Sequence, residues 1–245
     1  MTHRREDSQK RKEHILGIVV NEYIRNVSPV SSGLIKQKYR LDVSSATIRN
    51  ILADLEKDGL LTHPHTSAGR MPTEEGYRYY VDYLMHEISL LEEQKQRIKA
   101  EYEQERKNLE HILEKTSELV SDLTHYTSIV SVEDHNGRVF CNGARYVVDY
   151  ADYQDLKKIQ EILTLLEHKE EILALINREL RSRIQIFIGH ELACRNIEDC
   201  SMAVSQYTLS NGRQGRIAVL GPKRMNYQKV VSALDYMTHL MREIF

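Results

Sequence analysis

Two short stretches of the chain carry side chains suited to contact with DNA. Residues 44–50 (Ser-Ser-Ala-Thr-Ile-Arg-Asn) place hydroxyl groups, an arginine and an asparagine at the start of a predicted helix, where they reach phosphates and base edges. Residues 64–73 read as a turn of small residues flanked by histidine and arginine, and Arg70 is suited to a minor groove. The candidate DNA-binding residues are Ser44, Ser45, Thr47, Arg49, Asn50, His63, His65, Thr66, Ser67, Gly69 and Arg70.

A plainer interpretation exists for each stretch. A serine-capped helix can present a polar face to water alone, and a turn rich in Gly and Ser needs no ligand. That interpretation does not account for the arginine and histidines placed around the turn. We therefore favour DNA contact over a solvated surface.

Other chemistry is weakly represented. His63 and His65 alternate on a predicted strand but lack a third metal ligand nearby. Cys194 and Cys200 permit a redox or metal sensor, although buried structural cysteine is more common. His190–Glu191 has no nucleophile or oxyanion feature beside it, and no phosphate-binding or dinucleotide motif occurs. We expect no cofactor, no metal site and no enzymatic activity.

Length and charge constrain the class of protein. The 245 residues are enough for two domains, and the net charge is −2. Residues 1–83 hold 13 Lys and Arg against 11 Asp and Glu, a mild positive excess. The polar start lacks the apolar core of a signal peptide, and no apolar run is long enough to span a membrane. Three cysteines without close spacing fit a reducing cytoplasm.

The first 83 residues are predicted to form three helices and a hairpin. Pro29 should end the first helix, Ser31 should cap the second, and Ser44 or Ser45 should cap the third before Gly59 ends it. The inward side chains of the first and third helices are expected to be Ile15, Ile18, Val19, Tyr23, Ile48, Ile51, Leu52 and Leu55. Helix-turn-helix followed by a hairpin is the order of a winged helix.

A heptad pattern follows, with Thr73 predicted to cap the helix that leads into it. No Gly or Pro occurs from Tyr77 to Asn136, and apolar residues recur at coiled-coil spacing. The pattern predicts a two-stranded coiled coil or a helical hairpin; a single long helix lying on the second domain is the alternative. The candidate dimerisation residues are Leu84, Ile88, Leu91, Ile98, Tyr102, Leu109, Ile112, Leu119 and Leu123.

Residues 127–245 mix two kinds of pattern. Short β-like runs alternate with amphipathic helical runs, and Asn211-Gly212 indicates a hairpin between two of the strands. This pattern predicts an α+β domain with antiparallel strands and helices covering one face. The predicted strands are 127–132, 139–141, 184–188, 201–207 and 215–220, and the predicted helices are 155–166, 169–180 and 227–245.

The chain resembles the HrcA family of bacterial heat-inducible transcription repressors. Residues 44–56 look like that family's recognition helix, and residues 64–82 look like its wing and the helix after it. Near the other end, Phe187-Ile188-Gly189-His190-Glu191 and residues 221–227 are similar to later signatures of the family. The family plan is a winged helix, a GAF-like domain and an inserted dimerising domain. This chain passes almost directly from Val132 to Val139, so we expect the insert to be missing.

The resemblance implies a homodimeric repressor of groE- and dnaK-type chaperone operons. It would bind double-stranded DNA at an inverted-repeat operator of the CIRCE kind, and a GroEL-type chaperonin would keep it active. We expect an α+β fold in three parts, namely a winged helix-turn-helix (1–83), a helical connector (84–126) and a truncated GAF-like domain (127–245). The alternative function is a ligand- or redox-sensing winged-helix regulator of other genes.

Overall fold

A computed structural model describes residues 2–64, 69–86, 88–105, 108–134, 137–148, 156–209 and 212–244. The chain divides into two compact units, Met1–His86 and Glu87–Phe245. Each unit combines helices with antiparallel strands. Among the described residues, no helix is both long and apolar enough to cross a bilayer.

The first unit begins with three helices, α1 (Thr2–Asn26), α2 (Ser32–Tyr39) and α3 (Ser45–Lys57). The predicted caps are confirmed: the side chain of Ser31 accepts from the backbone N–H of Leu34, and that of Ser44 from Thr47. Gly59 ends α3 with φ of +77°, a conformation that glycine adopts without strain. These caps fix where α3 begins and ends.

A short strand pair and a further helix complete this unit. Strands β1 (Leu61–Thr62) and β2 (Met71–Pro72) pair antiparallel, and α4 (Glu74–Tyr79) follows with Thr73 as its cap. The chain continues as a π-helical turn, Tyr80–Leu84. Tyr77 and Tyr80 on this segment are buried, whereas Tyr83 is 73% exposed.

The second unit is built on a five-stranded antiparallel sheet in the order β4-β3-β7-β6-β5. Its strands are β3 (Thr127–Val132), β4 (Val139–Asn142), β5 (Ile184–Ile188), β6 (Cys200–Thr208) and β7 (Gln214–Pro222). Its helices are α5 (Glu92–Glu105), α6 (Leu109–Thr124), α7 (Leu156–Glu167), α8 (Lys169–Ile176) and α9 (Tyr227–Ile244). The predicted strands are confirmed to within two residues, whereas α8 ends four residues before the predicted Leu180. The predicted end residues Asp155 and Phe245 and the turn residue Asn211 lie outside the described part.

Helices cover both faces of this sheet, so the prediction of one covered face was wrong. Helices α6 and α9 pack on one face, where Ser201 and Ser205 of β6 bond Tyr227 and Thr238 of α9. Helices α7 and α8 cover the other face around an apolar core that includes Cys200. Cover on two faces explains why nearly every residue of β3, β6 and β7 is buried, rather than every second one.

The heptad region is not one continuous helix. The chain is extended at Met85 and again at Asn108, which caps α6, and residues 88–91 are not helical. Helices α5 and α6 instead pack against each other, with a hydrogen bond between Tyr102 and Thr116. Four of the predicted dimerisation residues are buried inside the chain: Ile98, Tyr102, Ile112 and Leu119. The coiled-coil prediction is corrected to the helical hairpin, because these side chains already have partners within one chain.

Candidate nucleic-acid interface

Helix α3 presents its polar start to solvent. Its apolar side chains face inward as predicted, with Ile48, Ile51, Leu52 and Leu55 all buried. Ser44, Arg49 and Asn50 are exposed, whereas Ser45 and Thr47 are half-buried. The cap hydrogen bonds engage the hydroxyls of Ser44 and Thr47, whose oxygens lie 2.9 Å apart. The exposed side of α3 is therefore carried by Arg49 and Asn50.

Arg49 is available to a ligand. Within the described part of the chain, no side chain or backbone oxygen accepts a hydrogen bond from its guanidinium. Arginine presents several donors in a rigid fork that matches guanine or phosphate. This guanidinium lies about one turn into the capped helix α3.

The segment that leads into β2 is hydrogen-bonded to the turn between α1 and α2. Backbone hydrogen bonds join Val30 and Arg70 in both directions, at 2.8 and 2.9 Å. A Cβ atom on Gly69 would lie 2.7 Å from the backbone of Pro29, and Gly69 is buried. Gly69 thus serves close packing within the unit, and its contact with DNA stays a prediction.

One carboxylate at the end of α3 organises two of the predicted basic contacts. Glu56 accepts from Arg70 at 2.8 Å and pairs with the imidazole Nδ1 of His63. The hydrogen bond from His63, with the nearby charge of Arg70, lowers the pKa of Glu56 and keeps it ionised. Arg70 is only 20% exposed, so its guanidinium lies along α3 rather than extending into solvent.

Three further candidate residues belong to the turn between β1 and β2. His65, Thr66 and Ser67 lie outside the described residues, so their predicted role stays a prediction. The sequence analysis missed Glu56, because its pairing with Arg70 depends on how the hairpin folds back on α3. A charged residue in the last turn of a helix beside a basic hairpin is the only sequence signal for it.

A second carboxylate positions the helices that support α3. Glu22 of α1 is 2% exposed, and it accepts from Lys38 and Tyr39 of α2 at 2.7 Å each. Burial opposes its ionisation, but the bonds from Lys38 and Tyr39 outweigh burial and lower the pKa of Glu22. Burial, together with the hydrogen bond to Glu22, raises the pKa of Tyr39 to about 12.

The chain matches known proteins over nearly its whole length. Residues 89–231 match the family described as HrcA protein C terminal domain. The heat-inducible transcription repressor HrcA of Pelotomaculum thermopropionicum is 28% identical, over 96% of this chain and 96% of the relative. The protein of the same name from Carboxydothermus hydrogenoformans is also 28% identical, over 96% and 97%.

These alignments also reveal a difference in length. Each runs over 333 positions, whereas this chain has 245 residues, so many positions of the relatives have no counterpart here. A crystal structure reported for a hypothetical protein superimposes with a TM-score of 0.74, covering 96% of this chain and 98% of that one at 18% identity. The superposition shows a shared fold.

Proposed function

Since the chain belongs to the HrcA family, we propose that it is a heat-inducible transcription repressor that binds an inverted-repeat operator before chaperone genes. The observation that carries the DNA-binding part is the exposed, unpaired Arg49 at the serine-capped start of α3. The first unit acts as a winged helix-turn-helix, with α3 as recognition helix and the β1–β2 pair as wing. The second acts as a shortened GAF-like regulatory domain.

Operator recognition follows from the orientation of α3. Its buried side holds the helix on the unit, and its polar start enters a major groove, where Arg49 reads base edges. Glu56 holds Arg70 and His63 beside α3, and Arg70 exchanges this partner for a phosphate when DNA binds. Repression is by occlusion, because a protein seated on the promoter excludes polymerase.

An inverted repeat calls for two copies of the recognition helix. We propose a homodimer, but burial of Ile98, Tyr102, Ile112 and Leu119 removes the middle of the predicted seam. Of the remaining predicted residues, Ile88 is 47% exposed and Leu91 is 68% exposed, whereas Leu84, Leu109 and Leu123 are half-buried. The exposed pair is the best candidate from that set for contact between copies.

Two hydroxyl groups suggest why such a protein would need a chaperonin. Ser128 and Ser232 are buried, and their hydroxyls have no hydrogen-bond partner. Each such group lowers stability, because its hydration is lost without replacement. We propose that this instability lets heat inactivate the repressor and leaves its folding dependent on a GroEL-type chaperonin.

The operator proposal is tested by footprinting on the organism's own chaperone promoters, followed by mobility-shift titrations. Arg49→Ala should lose roughly 1–3 kcal/mol of discrimination between operator and unrelated DNA. Arg195→Ala, which removes an exposed arginine from the second unit, is the matched control and should bind normally. An operator preference unchanged by Arg49→Ala would exclude the base-reading role.

Arg70 is tested separately through salt dependence. Arg70→Ala should weaken binding to all sequences alike and lower the slope of log affinity against log salt by about one. Glu56→Gln should have the reverse effect on affinity, because it releases Arg70 from its carboxylate. A slope unchanged by Arg70→Ala would remove this residue from the phosphate contacts.

A further inference from the structure

The sheet of the second unit contains a buried arginine without a counter-ion. Arg216 of β7 is 8% exposed, and its Nη1 donates to the side-chain oxygen of Gln206 at 2.7 Å. Its Nε is enclosed and has no acceptor. Within the described part of the chain, no carboxylate forms a salt bridge with it. Burying a charge without a partner opposes folding strongly, so this arrangement needs an explanation.

Sheet register places this arginine next to Ser131, a residue that lines a cavity. Arg216 lies directly opposite Ser131 of β3 and Gln206 of β6, so the three side chains project from the same face. It is the face covered by α7 and α8, because Ala218, two residues further along β7, belongs to that core. Ser131 lines a cavity of about 500 Å³ whose other wall is Leu173 of α8 and Asn177, the residue after α8.

The lining of the cavity suits an anion. Ser131 and Asn177 offer a hydroxyl and an amide, Leu173 supplies an apolar surface, and Arg213 also lines the space. Glu133 and Asp134 lie at the cavity as well. Asp134 is already neutralised by Arg138, whose Nε lies 2.6 Å from its carboxylate, and Glu133 is exposed to solvent.

We propose that this cavity binds a small organic anion, a carboxylate or a phosphate ester, whose charge pairs with Arg216. Guanidinium groups bind both kinds of oxyanion through paired, charge-assisted hydrogen bonds. The volume lies within the range of small-molecule sites, and the mixture of apolar wall and few polar groups is typical of them. Binding would supply the counter-ion that the folded chain lacks. The proposal does not depend on the operator.

Thermal unfolding of the full chain tests the site with two probes, inorganic phosphate and citrate, at low millimolar concentration. Sodium chloride at matched ionic strength provides the reference. For wild type, at least one probe should raise the melting temperature with the concentration dependence of mass action. Phosphate acting alone would indicate a phosphate ester, and citrate acting alone a carboxylate.

Arg216→Met separates a ligand-binding arginine from a structural one. It should abolish the response to both probes while leaving the ligand-free melting temperature unchanged or higher, because an unpaired buried charge has been removed. Arg195→Met, at an exposed position of the same unit, should keep the wild-type response. Arg216→Lys keeps the charge but loses the fork, and affinity should fall roughly tenfold, the equivalent of one charge-assisted hydrogen bond.

Three results would overturn the proposal. One is the absence of any response to either probe in wild type. Another is an equal response in wild type and Arg216→Met, which would show general salting by these anions. The third is a response in Arg216→Lys as strong as that of wild type, which would show that other groups bind the anion. This comparison still tests the proposal if Arg216→Met does not fold.

Discussion

Among the described residues, each unit buries one charged side chain, and the two differ in how many hydrogen-bond partners surround them. Glu22 in the first unit is surrounded by donors, namely Lys38, Tyr39 and Asn26 at 2.7, 2.7 and 3.1 Å. Arg216 in the second unit has one neutral acceptor and an enclosed Nε without any. The difference indicates which charge supports the fold and which awaits a partner, because a buried ion stabilises only when its hydrogen-bonding capacity is met.

A similar contrast holds between two arginines, the exposed Arg49 of the first unit and the buried Arg216 of the second. Arg49 costs the fold little, because its guanidinium is exposed and hydrated and would lose that water only in the proposed complex with DNA. Arg216 is already desolvated, so an anion that reaches it has only its own hydration to lose. The two proposals thus assign different ligands to two arginines of one chain, a DNA groove and a small organic anion.

The largest expected effect comes from placing a new charge, without a partner, in the buried interior. Ile98 of α5 is 2% exposed, so Ile98→Lys should lower the free energy of unfolding by about 3–5 kcal/mol. Urea unfolding followed by circular dichroism measures this loss. Leu156→Lys, at a position 75% exposed and outside the predicted seam, should change stability little. A stable Ile98→Lys monomer would instead place Ile98 in a seam between chains and restore the coiled coil.

The second effect concerns the satisfied charge. Glu22→Gln keeps the shape of the side chain but removes the charge that Lys38 and Tyr39 stabilise. It should cost about 1.5–3 kcal/mol, the usual worth of hydrogen bonds to a charged group. Lys38 is half exposed and can rehydrate, so the larger penalty of a stranded buried ion does not apply. Equal stability of variant and wild type at neutral pH would refute the contrast drawn with Arg216.

Low pH should abolish the stabilisation of the folded state that ionised Glu22 provides. Its pKa is lowered in the folded chain from the ordinary value of 4.5, so the folded state holds the proton less tightly than the unfolded state. The stabilisation is therefore complete above pH 4.5 and is lost as pH falls through the folded pKa. The stability difference between wild type and Glu22→Gln should shrink over that window. A difference that stays constant down to pH 3 would contradict a charge-based role.

The first unit could be predicted from the sequence because its signals are local. Serine and threonine caps, a glycine after α3 and the spacing of Ile48, Ile51, Leu52 and Leu55 each act within one or two turns. The structure confirms all of these features. Each depends on backbone hydrogen bonds and one-sided burial, which neighbouring residues determine.

The second unit could not be predicted fully, because a sequence pattern does not say which surface covers its apolar face. Apolar residues at heptad spacing specify a helix face but not whether another chain or the same chain covers it. Asn108, an ordinary helix cap, was the overlooked sign that the helix breaks there. Likewise, an arginine inside the apolar run of β7 marks an anomaly, but its lack of a counter-ion depends on strands distant in sequence.

The smallest expected effect tests the same principle with neutral groups. Ser128 and Ser205 are both fully buried in the sheet. The hydroxyl of Ser205 lies 2.9 Å from that of Thr238, whereas the hydroxyl of Ser128 has no partner. Ser205→Ala should cost about 1 kcal/mol, the net worth of a hydrogen bond.

Ser128→Ala should instead stabilise the unit by up to about 1 kcal/mol. In wild type the Ser128 hydroxyl is hydrated when unfolded and has no partner when folded, so removing it removes a cost of folding. The oxygen that is lost leaves only a small void, so cavity formation does not reverse the gain. Thermal unfolding of the two variants beside wild type measures both effects. If both variants lost stability equally, the two hydroxyls would be energetically alike, and the missing partner of Ser128 would no longer support a dependence on chaperonin.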